Sequence, residues 1–176
     1  MRALAAVTLA LTTGLLFAAQ GEGTKVEVKG PHICCGQCVK VAEGLLAKID
    51  GVSGAKADQA GKTVTFTAKD ENAAKAGVKA LIDGGFYGKA MAGDKVIKVD
   101  VPALKKGSKA NVVVVKDVHV CCGACQKAIN KIFAEAKVSY EGKGPQRTVR
   151  IEGTGLDPAV VIQTLHKTGF HGTLEK

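Results

Sequence analysis

His32 to Cys38 reads HICCGQC, and His119 to Cys125 reads HVCCGAC. An offset of 87 carries His32, Cys34, Cys35, Gly36 and Cys38 onto His119, Cys121, Cys122, Gly123 and Cys125. The same offset carries Ala42, Leu45, Leu46 and Ile49 onto Ile129, Ile132, Phe133 and Ala136. These apolar positions recur at i, i+3, i+4 and i+7, the face of an amphipathic helix. Further on the offset becomes 84, carrying Leu81, Gly85 and Phe86 onto Leu165, Gly169 and Phe170. The chain therefore reads as two copies of one module.

Each copy parses in the same order. TKVEVKG and NVVVVKDVHV are β-rich runs leading into the cysteine loops, and a helix is expected from near Cys38 or Cys125. Two strands follow, GVSGAKADQ and KTVTFTAK in the first copy, joined by a turn at AGK. In the second copy they are AKVSYEG and RTVRIEG. ENAAKAGVKALIDG and DPAVVIQTLHKTG read as second helices, with Pro158 after Asp157 suited to a first helical position. A short last strand is expected to start at Phe86 or Phe170. The order β-α-β-β-α-β predicts an α+β chain of two tandem ferredoxin-like modules, each a four-stranded antiparallel sheet with two helices on one face. The boundaries expected are 22–92 and 111–176, with a Lys-rich linker at 93–110 of which KVIKVDV could extend the first sheet.

The first 21 residues, with one Arg and then an apolar run from Ala3 to Ala19, have the pattern of an export signal ending at Ala19-Gln20-Gly21. Thr8, Thr12, Thr13 and Gly14 dilute that run, so it fits a spanning helix less well. A periplasmic or secreted protein that does not span the membrane is expected. The net charge of +9 is spread along the chain: +1 before Glu22, +2 over 22–92, +3 over 93–110 and +3 over 111–176. With no Trp and 4% aromatics, this does not resemble a nucleic-acid groove, which concentrates Lys and Arg and adds stacking rings.

Six cysteines in an exported chain would ordinarily suggest three disulfides. Here all six sit in two five-residue clusters, where a local bridge would close almost no loop and give little of the usual stabilisation. Chemistry is the better reading. No Ser-His-Asp set or paired carboxylates accompany the clusters, so a non-enzymatic protein is expected.

A C-x-x-C leading a helix within β-α-β-β-α-β resembles the heavy-metal-associated domains of copper chaperones, mercury-binding proteins and metal-transporting P-type ATPases. Cys35 and Cys38, and Cys122 and Cys125, match the family's two cysteines. Gly85-Phe86 and Gly169-Phe170 match its late Gly-aromatic, which in the family closes over the metal loop. The resemblance covers nearly everything after the first 21 residues, twice. It implies metal buffering, detoxification or delivery, with a metal-transporting ATPase or a metalloprotein as acceptor. Two departures stand out. The family methionine is replaced by Ile33 or Val120, and the next position is a cysteine, Cys34 or Cys121. The doubled cysteine resembles the Cys-Cys-x-x-Glu of plant zinc and cadmium pumps, with Cys38 or Cys125 where the glutamate stands.

The chemistry of these residues suits a soft or borderline ion, one per module. Two thiolates suffice for Cu(I). Adding Cys34 and His32, or Cys121 and His119, gives the Cys₃His count of a closed Zn(II) site. Adjacent cysteines in an extended loop point to opposite sides, so Cys34 can reach Cys35's ion only through a bend. Cys34 and Cys121 are thus either ligands or small buried residues, and His32 and His119 either ligands or loop residues. Phe86 and Phe170 are expected to shield the site, and His166 and His171 to be structural or surface residues. The competing function is thiol–disulfide exchange through the two C-x-x-C pairs.

Overall fold

Alternation sets the first strand. In β1 (Thr24–Lys29), Val26 and Val28 turn inward and are buried. The computed structural model describes residues 23–102 and 104–175; the expected export signal at 1–21 lies outside them. Among the described residues no helix is long and apolar enough to cross a membrane.

The first half continues with α1 (Gly36–Leu46), β2 (Val52–Asp58), β3 (Thr63–Ala68), α2 (Glu71–Asp83) and β4 (Lys89–Ala92). The second half repeats the order: β6 (Ala110–His119), α3 (Gly123–Ile132), β7 (Lys137–Glu141), β8 (Gln146–Leu156), α4 (Pro158–Lys167) and β9 (Thr173–Leu174). Between them lies the two-residue β5 (Lys95–Val96). The chain is a mixed α+β protein with four described helices and two antiparallel sheets. Strand order is β2-β3-β1-β4-β5 in one sheet and β7-β8-β6-β9 in the other. The first sheet thus has five strands where four were expected, because Lys95 and Val96 turn back onto Ala92 and Met91. Part of the expected linker is therefore sheet.

The cores follow from periodicity. Val64, Phe66 and Ala68 alternate inward from β3, and Ala42 and Leu46 of α1 meet them with Val78 and Leu81 of α2. Gly77 lets α2 lie close to the sheet: a Cβ there would fall 2.8 Å from the Phe66 ring. In the second half Val113, Val115, Val149 and Ile151 supply the sheet side, and Ile129, Ile162 and Leu165 the helices.

Capping separates the helices into two kinds. Asp70 and Asp157 cap α2 and α4, accepting from the amides of Ala73 at 2.8 Å and Ala159 at 2.9 Å. The N-caps of α1 and α3 are Cys35 and Cys122, in extended conformation, and neither side chain makes a capping hydrogen bond. These helices begin at Gly36 and Gly123, two residues before the expected start, so the free amide end of each faces the cysteine loop.

Candidate metal centre

The two halves meet along the cysteine loops and the late Gly-Phe pairs. Phe86 and Phe170 form an antiparallel bridge across the seam. Around it, the amides of His32 and Tyr87 both donate to the Gly169 carbonyl, at 3.0 and 2.9 Å, and the His171 amide donates to the Gly85 carbonyl at 2.9 Å. Gly85 and Gly169 have φ of +88° and +84°. A Cβ on Gly85 would fall 2.4 Å from the His119 amide nitrogen, and one on Gly169 would fall 2.3 Å from the Gly30 carbonyl oxygen. Only glycine permits either approach. Each late Gly-Phe thus closes over the loop of the other copy, where the resemblance implied its own. Accordingly, His32 stacks on Phe170 at 4.0 Å between ring centroids, and His119 lies 4.3 Å from Phe86. The last strands begin after Phe86 and Phe170, at Lys89 and Thr173, because the aromatics pair with each other instead.

This docking brings all six sulfurs into one cluster. One triangle is formed by Cys34, Cys122 and Cys125, with Sγ–Sγ distances of 3.8, 3.4 and 3.9 Å. The other is formed by Cys35, Cys38 and Cys121, at 3.7, 3.7 and 3.5 Å. The triangles stack through Cys34–Cys38 at 3.6 Å, Cys35–Cys122 at 3.8 Å and Cys121–Cys125 at 3.8 Å. The arrangement is a trigonal prism, and the repeat exchanges its two faces. All six cysteines are free thiols. A tetrahedral ion with bonds of about 2.3 Å to sulfur has sulfur–sulfur edges of about 3.8 Å, close to these distances.

The histidines complete the cluster. His119 is fully buried, and neither of its ring nitrogens has a hydrogen-bond partner; buried Nε2 of His32 is likewise unpartnered. An orphaned buried polar atom costs about 1–3 kcal/mol, so a partner absent from the protein chain itself is called for. Ligand atoms of Cys38, His119, Cys121 and Cys125 lie within 4.8 Å of one another, as do those of His32, Cys34 and Cys125, and those of Cys34, Cys35 and Cys122. All eight candidate residues converge. The sequence pattern placed each set on its own copy; the fold gathers both sets at one seam.

Electrostatics here follow from burial and helix ends. Burial pushes the Cys34 and Cys121 thiols above their ordinary range. Interaction with the Cys125 thiol across the prism holds Cys38 below it, and the same interaction pushes Cys125 up. Burial also acts to raise Cys122, but the amides of Cys125 and Ala124 at the α3 terminus outweigh it and bring the thiol down to about 7. Burial lowers the His32 pKa, keeping the imidazole in the neutral form that binds metals. The cluster can offer several thiolates only if a cation offsets their mutual repulsion.

His166 and His171, expected to be structural or surface residues, sit at the seam: His166 Nε2 lies 2.8 Å from His171 Nδ1, and the Tyr87 ring stacks on His166 at 3.7 Å. They are structural. The cross-copy role of Gly85 and Gly169 was not read from the sequence, although their repetition beside Phe was the available signal.

No protein-family model matches this chain, and neither does any curated protein. The Cys/His cluster could hold a metal ion.

Proposed function

We propose that this chain is an exported heavy-metal-binding protein that buffers or detoxifies a soft or borderline ion, Cu(I) or Zn(II)/Cd(II), or hands it to a transporter or metalloprotein. Its halves are proposed to be two ferredoxin-like modules of the heavy-metal-associated type. The repeated β-α-β-β-α-β order and the matching strand orders β2-β3-β1-β4 and β7-β8-β6-β9 support that assignment. The carrying observation for function is the convergence of six free thiols, 3.4–3.9 Å apart between neighbours, with unpartnered histidine nitrogens beside them.

This reading makes the protein a carrier with no catalytic turnover. The thiols supply charge and softness, and the helix ends at Cys35 and Cys122 favour the thiolate. Phe86 and Phe170, both buried, exclude water from the histidine side. Cys35 and Cys122 are less buried than Cys38 and Cys125, giving an acceptor thiol its way in for ligand exchange.

Titrating the reduced, metal-free protein with Cu(I), Zn(II) and Cd(II) tests this. Tight binding with thiolate charge-transfer absorption is expected, and none in a variant with all six cysteines replaced by serine. Affinity should rise with pH by more than about tenfold per unit, because each bound ion must displace protons from more than one thiol and Cys34, Cys121 and Cys125 hold theirs more firmly than an ordinary thiol. A reduced protein that binds no metal yet catalytically reduces disulfides would overturn the proposal in favour of thiol–disulfide exchange.

A further inference from the structure

The prism suggests more than a shared location. Adjacent cysteines in extended backbone project to opposite sides. Cys35 and Cys122 are extended, and among the described residues no sulfur hydrogen bond joins Cys34 to Cys35 or Cys121 to Cys122, although the Cys34 and Cys35 sulfurs lie within 4.8 Å. The within-copy contacts are Cys34–Cys38 at 3.6 Å and Cys121–Cys125 at 3.8 Å. Cys34 instead closes a face with Cys122 and Cys125, and Cys121 closes one with Cys35 and Cys38. The histidines follow the same exchange. His32 shares its ligand group with Cys34 of its own copy and Cys125 of the other, and His119 shares its own with Cys38 of the other copy and with Cys121 and Cys125 of its own.

We infer that the chain holds two thiophilic four-coordinate ions of the Zn(II)/Cd(II) class, each bound by the C-x-x-C of one copy together with the preceding cysteine and histidine of the other. One site is Cys35, Cys38, Cys121 and His119; the other is Cys122, Cys125, Cys34 and His32. The inference rests on the metal-binding reading above and specifies its cargo and ligand sets. It gives a reason for every cysteine and histidine repeated in the two loops. The C-x-x-C supplies two donors and the helix end, while the extra Cys and His serve the neighbouring copy's ion.

The charge of each site is modest. Three thiolates and a neutral imidazole around a divalent ion leave a net charge of −1, facing the partial positive charge of an α1 or α3 terminus. The histidines distinguish this from a plain sulfur cluster. A face of three sulfurs alone suits trigonal Cu(I), whereas a fourth donor from His119 or His32 makes the tetrahedral Cys₃His set.

Two triple variants of the full chain give opposite outcomes under cross-copy and within-copy binding. Cys35→Ser/Cys38→Ser/Cys121→Ser removes one prism face and leaves the other whole. Cys34→Ser/Cys35→Ser/Cys38→Ser removes every cysteine of the first copy and breaks both faces. With Cd(II) as probe, the first variant should keep one equivalent at near-native affinity. The second should bind its remaining ion more than about 100-fold more weakly, beyond the usual cost of losing an outer-shell partner. His32→Ala added to the first variant should also weaken Cd(II), and His119→Ala should not. Native-like far-UV circular dichroism establishes that each variant is folded. The reverse order of affinities would overturn cross-copy binding while leaving metal binding intact, and equal affinities would overturn it as well. Loss of Cd(II) binding by the wild-type protein would instead sink the underlying reading.

Discussion

Replacing Gly169 by valine is expected to lower metal affinity by at least about 100-fold while both halves stay folded. Gly169 has a φ of +84°, where a β-branched residue is strained by about 1–3 kcal/mol. Its Cβ would also fall 2.3 Å from the Gly30 carbonyl oxygen and 2.4 Å from the His32 amide nitrogen. Both obstacles are backbone, so no side-chain rotation relieves them. The same residue's carbonyl accepts from His32 and Tyr87, and these bonds lie at the join between the halves. Parting the halves separates Cys34 from Cys122 and Cys125, and Cys121 from Cys35 and Cys38. Each C-x-x-C is then left with only its own copy's third sulfur, Cys34 beside Cys38 or Cys121 beside Cys125, and both three-sulfur faces are lost. A hundredfold loss corresponds to about 2.7 kcal/mol, within reach of the strain and overlap combined. Buried Phe66 and Ile151 belong to separate sheets, each of which should keep its secondary structure. Cd(II) titration alongside circular dichroism checks both parts, and unchanged affinity would show that the seam is not needed for binding.

Chelating the metal should produce the second large effect, a fall in thermal stability without loss of the fold. An ion present at about 1,000 times its dissociation constant stabilises the folded state by about 4 kcal/mol per site. For a chain of this size each kcal/mol corresponds to roughly 2–4 °C, so a melting temperature lower by about 10 °C or more is expected. The metal-free protein should remain folded because its buried core is made chiefly of apolar side chains from both sheets and all four described helices, with the half-buried Cys34, Cys35, Cys121 and Cys122 only packed against it. His119 is the exposed weakness of that state: fully buried with two unpartnered nitrogens, it gains a bond when metal enters. Calorimetry of loaded and chelated protein decides this, and identical melting curves would contradict a metal held at the seam.

Much of this was legible in the sequence, for reasons that can be named. Period-2 alternation in TVTFTA and the 3.6-period spacing of Ala42 and Leu46 carry local structure, and both appear where expected. The offset of 87 between the cysteine loops carried the repeat and all eight candidate residues. The extension of the first sheet expected at KVIKVDV appears in part, as β5 at Lys95–Val96. Two features did not follow. The early start of α1 and α3 depends on cysteine as N-cap, an unusual occupant in place of Ser or Asp. The seam is tertiary: nothing local in Gly169-Phe170 says that it closes over His32 instead of His119. The sequence did contain one clue, the opposed directions of adjacent cysteines, which made Cys34 an awkward partner for Cys35.

The most direct measurement of cross-copy coordination is a heteronuclear correlation spectrum of the full chain loaded with ¹¹³Cd, reading scalar couplings from each ion to cysteine β-protons. Cross-copy binding predicts two cadmium resonances, one coupled to Cys35, Cys38 and Cys121 and the other to Cys122, Cys125 and Cys34. Two resonances coupled to Cys34, Cys35 and Cys38 and to Cys121, Cys122 and Cys125 would contradict it.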